Sequence, residues 1–154
     1  MNITDSTKSY ICELDYCNEY WAKLDENGNI IHFKDSIWYE YWNEYDEKGR
    51  IIHRTNSDGD ESWDEYDERG NRIHYKSSDG HEWWQEYDEH GNITHYKLLN
   101  GKEYWNEYDN QGRIIRSIFS NGIIQLYDYN EETKTIHCKK VYDPEYLNEK
   151  RGLR

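Results

Sequence analysis

The sequence predicts an all-β fold: an antiparallel β-hairpin array of about six 21-residue repeats, two strands each, in a strongly twisted or curled sheet. Three observations predict it. The first is self-similarity at a fixed period, since the stretch Glu61–His81 (E-S-W-D-E-Y-D-E-R-G-N-R-I-H-Y-K-S-S-D-G-H) returns as Glu82–Lys102 without insertion or deletion. Such a period marks one supersecondary unit stacked on its neighbours. The second is a pair of turn signals in every unit. The third is spacing: about seven residues lie between turns, a strand's length, and no window has the 3.6-residue periodicity of a helix.

The repeat writes columns through the chain. Trp21, Trp42, Trp63, Trp84 and Trp105 keep step, followed by Leu126. Leu24, Tyr45, Tyr66, Tyr87, Tyr108 and Tyr129 form a second column, and Gly28, Gly49, Gly70, Gly91 and Gly112 a third that ends in Thr133. His32, His53, His74, His95 and His137 form a fourth, with Arg116 in the gap.

In chain order, residues 1–18 read as an N-terminal half-repeat cap whose strand, Ser9 to Leu14, sets Cys12 in the column of Cys138. Residues 19–141 hold the six repeats. Within each, Asp67-Glu68-Arg69-Gly70 and its relatives suit a type I turn closed by a glycine bulge. The pairs Asp58-Gly59, Asp79-Gly80, Asn100-Gly101 and Asn121-Gly122 read as two-residue hairpin loops. One junction breaks the pattern, with Ile37-Trp38 standing where Asp-Gly is expected. Residues 142–154 form a charged tail, introduced by the strand-breaking Asp143-Pro144.

The turns then set an expected register. Tyr66 should face Arg72, Glu65 face Ile73, Asp64 face His74, and Trp63 face Tyr75; across the next turn, Tyr75 should face Trp84 and His74 face Gln85. One side of the sheet would carry Trp63, Glu65, Ile73 and Tyr75, and the other Asp64, Tyr66, Arg72, His74 and Lys76. Because side chains alternate, any one-residue error in this register moves a whole strand's side chains to the other side.

Composition bounds the function. Of 154 residues, 34% are hydrophobic and 33% charged, while 7 Trp and 16 Tyr supply a thin aromatic core. The net charge of -13 speaks against nucleic-acid binding, which needs basic patches, and against an anionic membrane. The same charge would speed association with a basic partner. Cys12, Cys17 and Cys138 are odd in number and lack metal-site spacing. The first residues are polar and no apolar run reaches the length of a signal segment or a membrane span, so the expectation is a soluble, cytoplasmic chain.

The unit W-x-E-Y-D-E-x-G-N-x-I-H-Y-K-x-x-D-G resembles the YD (Rhs-type) repeat. Its hallmark appears as Tyr45-Asp46-Glu47-Lys48-Gly49-Arg50 and Tyr66-Asp67-Glu68-Arg69-Gly70-Asn71, and again at Tyr87 to Asn92 and Tyr108 to Arg113. The resemblance covers about residues 19 to 141 and implies a spiralling antiparallel sheet, as in large exported or toxin-carrying proteins. The sequence is far shorter than those proteins, and the expectation is no attached toxin or enzyme domain. Its repeats also look like the choline- and glucan-binding hairpin repeats of bacterial surface proteins.

Catalytic and metal chemistry find little footing. Histidines of adjacent repeats lie two strands apart, about 10 Å, whereas a metal ion needs nitrogens about 2 Å from itself. Asp64 beside His74 would suggest an acid–base pair, yet Asn43, Gln85 and Asn106 fill the equivalent slots, which points to cross-strand hydrogen bonds. Asp46-Glu47 and Asp67-Glu68 sit in turns and lack the spacing of a calcium loop. The expectation is therefore no enzyme, no cofactor and no metal.

What remains is a surface. Trp42, Glu44, Trp63, Glu65, Trp84, Glu86, Trp105 and Glu107 are the candidate partner-binding residues, indoles to anchor and carboxylates to meet Arg or Lys of a basic protein. In size, acidity and lack of catalytic groups the chain resembles bacterial immunity proteins, the antitoxins of interbacterial competition. That resemblance implies binding and neutralising a basic toxin domain such as a nuclease. The alternative is a carbohydrate- or cell-wall-binding module, with Trp84, Tyr96 and Trp105 stacking on a glycan.

Overall fold

The computed structural model describes the backbone of residues 7–10 and the whole of residues 20–143. Cys12, Cys17, the rest of the expected Ser9–Leu14 strand and the tail from Pro144 on lie outside the described residues. Among those described, thirteen strands follow one another in the sheet in chain order, and there is no helix. The chain is the all-β, antiparallel hairpin array that its repeats predict.

Two compact units share the strands, one of Met1–Glu65 with Tyr75–His81, the other of Tyr66–His74 with Glu82–Arg154. The first holds β1 (Thr7–Tyr10), β2 (Tyr20–Leu24), β3 (Ile30–Asp35), β4 (Glu40–Tyr45), β5 (Ile51–Asn56) and nearly all of β6 (Glu61–Tyr66). Strand β7 (Arg72–Ser77) is divided between the units. The second unit continues with β8 (Glu82–Tyr87), β9 (Ile93–Leu98), β10 (Glu103–Tyr108), β11 (Ile114–Phe119), β12 (Ile123–Asn130) and β13 (Thr135–Tyr142).

Both turns of the repeat are built the same way. In the first, the Asp46 N–H donates to Arg50 O at 2.9 Å and the Gly49 N–H to Asp46 O at 3.0 Å. The Asp46 carboxylate accepts the N–H groups of Lys48 and Arg50, both at 2.9 Å. In the second, the Asn56 N–H donates to Asp60 O at 3.0 Å and Gly59 N–H to Asn56 O at 3.1 Å, with the Asn56 side chain accepting from Asp58 and Asp60. The second turn corrects the sequence expectation. A two-residue type I′ loop needs positive φ at both central residues, yet only the glycine has it: Gly59 lies at φ 85, and the non-glycine residues with positive φ are Trp38 and Lys134. The loop is therefore Ser57-Asp58-Gly59, three residues rather than two.

The first turn hides a second departure. Tyr45 pairs with Ile51, but Glu44 pairs with His53, so one extra residue bulges out between them. The same shift occurs in β2·β3, β8·β9 and β10·β11. Glu86 faces His95 and Gln85 faces Tyr96. Beyond the second turn His53 faces Trp63, and His74 stacks on Trp84. Two one-residue errors thus enter the expected register. They cancel for the Trp and Glu columns, which keep the predicted side, but His74 and Tyr75 and their relatives change places. In the equivalent hairpin Asn43, in the slot of Asp64, pairs with Arg54 rather than with His53.

The bulge shapes the sheet. Strands β3 and β4 pair from Lys34↔Glu40 to His32↔Trp42 and then part. Side chains take over where the ladder stops. The Ile30 carbonyl accepts the Tyr45 hydroxyl at 2.8 Å and the Asn43 amide at 2.9 Å. Tyr87, Tyr108 and Tyr129 repeat this latch onto the carbonyls of Arg72, Ile93 and Ile114 at 2.9, 2.7 and 2.9 Å. Each tyrosine thus donates to a carbonyl that the ladder leaves free, joined at Ile30 and Ile93 by the amides of Asn43 and Asn106.

Little of the chain is fully buried. Among the described residues Ala22, Ile118 and Ile124 are the buried hydrophobics, and Ile118, with no exposure, packs with Ile124 against Trp105 and Leu126. Rings supply the rest of the packing. Phe33 stacks between Tyr20 and Tyr41 at 5.5 and 5.0 Å, and Tyr96 between Trp83 and Tyr104 at 5.9 and 5.1 Å. The buried Asn43 is fully engaged, accepting from Arg54 Nε at 2.9 Å while it donates to Ile30.

Candidate interaction surface

Trp42 and Glu44 are two residues apart on β4, and Trp63 and Glu65 on β6, so alternation places each pair on one side of its strand. Register then sets Glu44, His53 and Trp63 on one side within the first unit. In the second unit Glu86, His95 and Trp105 share a side in the same way, with Trp84 and Glu107 beside them. All eight candidate residues therefore lie on the Trp side of their own hairpins. Trp42 and Trp63 keep 40% and 37% of their surface exposed, and the Glu44 and Glu86 side chains 69% and 74%.

The histidines, which the sequence reading put on the other side, complete this surface. Each stacks flat on the tryptophan of the next repeat: His32 on Trp42, His53 on Trp63, His74 on Trp84, His95 on Trp105, at 4.9, 5.1, 4.9 and 4.8 Å. Each also touches a carboxylate at the start of the following strand. The Nε2 atoms lie 2.8, 3.1, 3.0 and 3.2 Å from Glu40, Glu61, Glu82 and Glu103. The other ring nitrogen of His53 meets Glu44 at 3.3 Å and that of His95 meets Glu86 at 3.2 Å. The His32 contact comes first, and Lys34 second, in holding the Glu40 carboxyl below its usual range. A sequence signal for these contacts existed: every such His is followed by a Glu eight residues later. In the last full repeat Arg116 takes the His slot and reaches Glu107 at 3.2 Å.

The opposite side is spent on structure. It carries Asn43, Tyr45 and Arg54 with their latch, and stacked rings such as Tyr96. That placement separates Tyr96 from Trp84 and Trp105, so the three-ring sugar platform expected from the sequence does not assemble. An open cleft of about 590 Å³ lies between the Asp88–Asn92 and Asp109–Gly112 turns. The Asp88 and Asp109 carboxylates that line it are occupied by their own turns, and hydrogen bonds from Asn92 and Arg113 hold them below the normal carboxylate range. No three His, Cys, Asp or Glu side chains converge as a metal site among the described residues.

No family model and no curated protein matches the chain. Solved structures do. A crystal structure titled TcdB2-TccC3-TEV aligns at 12% identity with a TM-score of 0.46, and a TcdB2-TccC3-Cdc42 crystal structure at 11% and 0.46. A Photorhabdus luminescens Tc holotoxin pore with a mutated TccC3 aligns at 12% and 0.45. Each alignment covers 93% of this chain but only 12% of the matched chain.

Proposed function

We propose that this chain is a non-catalytic, cytoplasmic protein-binding module, an immunity protein that captures and neutralises a basic toxin domain such as a nuclease. One observation carries the reading: the Trp side repeats a partly exposed indole beside a glutamate, with the Glu44 and Glu86 carboxylates well exposed, on a chain of net charge -13. Aromatic anchors ringed by charge are what tight protein interfaces use, and opposite charge raises the association rate. The stacked histidines stiffen the row, so little side-chain entropy is lost when a partner docks.

The test is a pull-down from native lysate at about 50 mM and then about 500 mM salt, across which screening between exposed charges becomes strong. One basic protein held at low salt and released at high salt, and inhibited in its own activity by this chain, is the expected result. Retention of polysaccharide alone would shift the reading to the glycan-binding alternative. An empty column would end it.

A further inference from the structure

The second turn of every described repeat from Asn56 on ends in glycine at positive φ: Gly59, Gly80, Gly101 and Gly122 at 85, 90, 81 and 84. At the first repeat junction the same turn forms around Asp35, whose N–H donates to Tyr39 O at 3.0 Å and whose carboxylate accepts from Ile37 and Tyr39. Here the glycine slot holds Trp38 at φ 72. An L-residue is disfavoured there, and the fold gains little packing for it. Trp38 is 79% exposed, its neighbours Ile37 and Tyr39 are 64% and 50% exposed, and Lys34 Nζ lies over its ring at 5.8 Å. The fold thus tolerates strain to hold three large apolar side chains in water, at the tip of a hairpin.

We infer that the Ile37–Tyr39 tip is an anchor that inserts into an apolar pocket of a basic protein, an inference that rests on the partner class proposed above. Charge selects that occupant. Asp58 and Asp60 stand on the adjacent tip of the same unit, and Tyr39 shares a cleft of about 280 Å³ with Asp60, Glu61 and Asp79. The cations nearby are already engaged, Lys34 with Glu40 at 3.1 Å and Arg54 with Asn43 at 2.9 Å. An apolar knob with an acidic rim repels a second copy of itself and an anionic lipid surface, and fits a pocket rimmed by Arg and Lys.

The basic protein retained at low salt would be purified and titrated by calorimetry against the full chain, Trp38→Gly and Leu99→Ser. Leu99, 57% exposed on the equivalent turn three repeats further along, is the control. Trp38→Gly is expected to weaken binding by roughly 30-fold or more, as loss of an anchor does, while melting no lower than the wild type; Leu99→Ser should bind unchanged. Wild-type affinity in Trp38→Gly would overturn the tip and leave the proposed function standing. Retention of no basic protein would overturn both. The wild type would also be run alone in sedimentation and with phosphatidylcholine vesicles. Self-association or vesicle binding that disappears in Trp38→Gly would make the tip a contact of another kind and overturn the inference.

Discussion

At the scale of single residues, the repeat shows what one atom is worth because the same position recurs with different occupants. Gly101, at φ 81, would place an added Cβ in open space, so Gly101→Ala meets no clash and loses only backbone preference. Its expected cost is about 1 kcal/mol in urea unfolding. The tyrosine latch gives a second comparison. Tyr108→Phe removes the hydroxyl from the Ile93 carbonyl, but Asn106 still donates there at 3.2 Å. One repeat on, Tyr127 stands in place of the Asn and gives its hydroxyl to Gln125 at 2.7 Å, leaving Tyr129 to serve the Ile114 carbonyl. Tyr129→Phe should therefore lose more than Tyr108→Phe, toward the upper end of about 1–3 kcal/mol for an acceptor left unsatisfied. Equal losses would mean that water reaches both carbonyls.

At the scale of the hairpin, period and turn positions were legible in the sequence, and register was not. A 21-residue unit can be divided between loops and strands in several ways that give the same spacing of Trp, Tyr and Gly. The bulge opposite Tyr45 has no residue of its own to announce it, since Ile51 and Ile52 both look like ordinary strand positions. Asp58-Gly59 likewise reads as the strongest two-residue loop signal, although Asn56 captures the turn first by binding the N–H groups of Asp58 and Asp60 with its side chain. The Trp and Glu half of the surface was readable because the two errors cancelled there, and the His half was not. Excision gives a test of register. Removing Glu82–Lys102 keeps every column in phase, so a shorter array with the same β-sheet circular dichroism is expected, at reduced stability because repeat proteins sum over neighbours. Removing one residue fewer reverses the sides of everything downstream, and cooperative melting should vanish. Similar melting of both deletions would refute the register.

Over the whole molecule the turn caps and the latch tyrosines respond to pH at opposite ends. The carboxyls of Asp25, Asp46, Asp67, Asp88 and Asp109 are held below their ordinary value of 3.8, by hydrogen bonds from Asn29, Arg50, Asn71, Asn92 and Arg113 before all else. Asp79 is lowered to about 2, chiefly by the Ser77 hydroxyl and then by His81. A depressed carboxyl contributes stability that is complete above the unfolded value and is lost as pH falls through the folded one. The phenols of Tyr41, Tyr87, Tyr96, Tyr104 and Tyr108 are pushed above 10.0, with burial the leading cause in each. Their stability is complete below the unfolded value and is lost as pH rises through the raised one, because burial disfavours the phenolate; in Tyr87 and Tyr108 the phenolate also cannot donate to the carbonyl that the phenol serves. Between these limits the net charge of -13 falls toward zero at pI 4.9, a change that acts through long-range repulsion. In about 0.5 M salt that repulsion is screened to a few ångströms. The urea midpoint measured there should fall below about pH 4 and again above about pH 10. Replacing Asp25, Asp46, Asp67, Asp88 and Asp109 together by Asn should flatten the acid limb and leave the alkaline one in place, while Tyr108→Phe should soften the alkaline limb alone. An acid limb that survives the five Asn substitutions would locate acid sensitivity outside these five caps, in Asp79, Glu40 and Glu131, whose carboxyls are also held below their ordinary values.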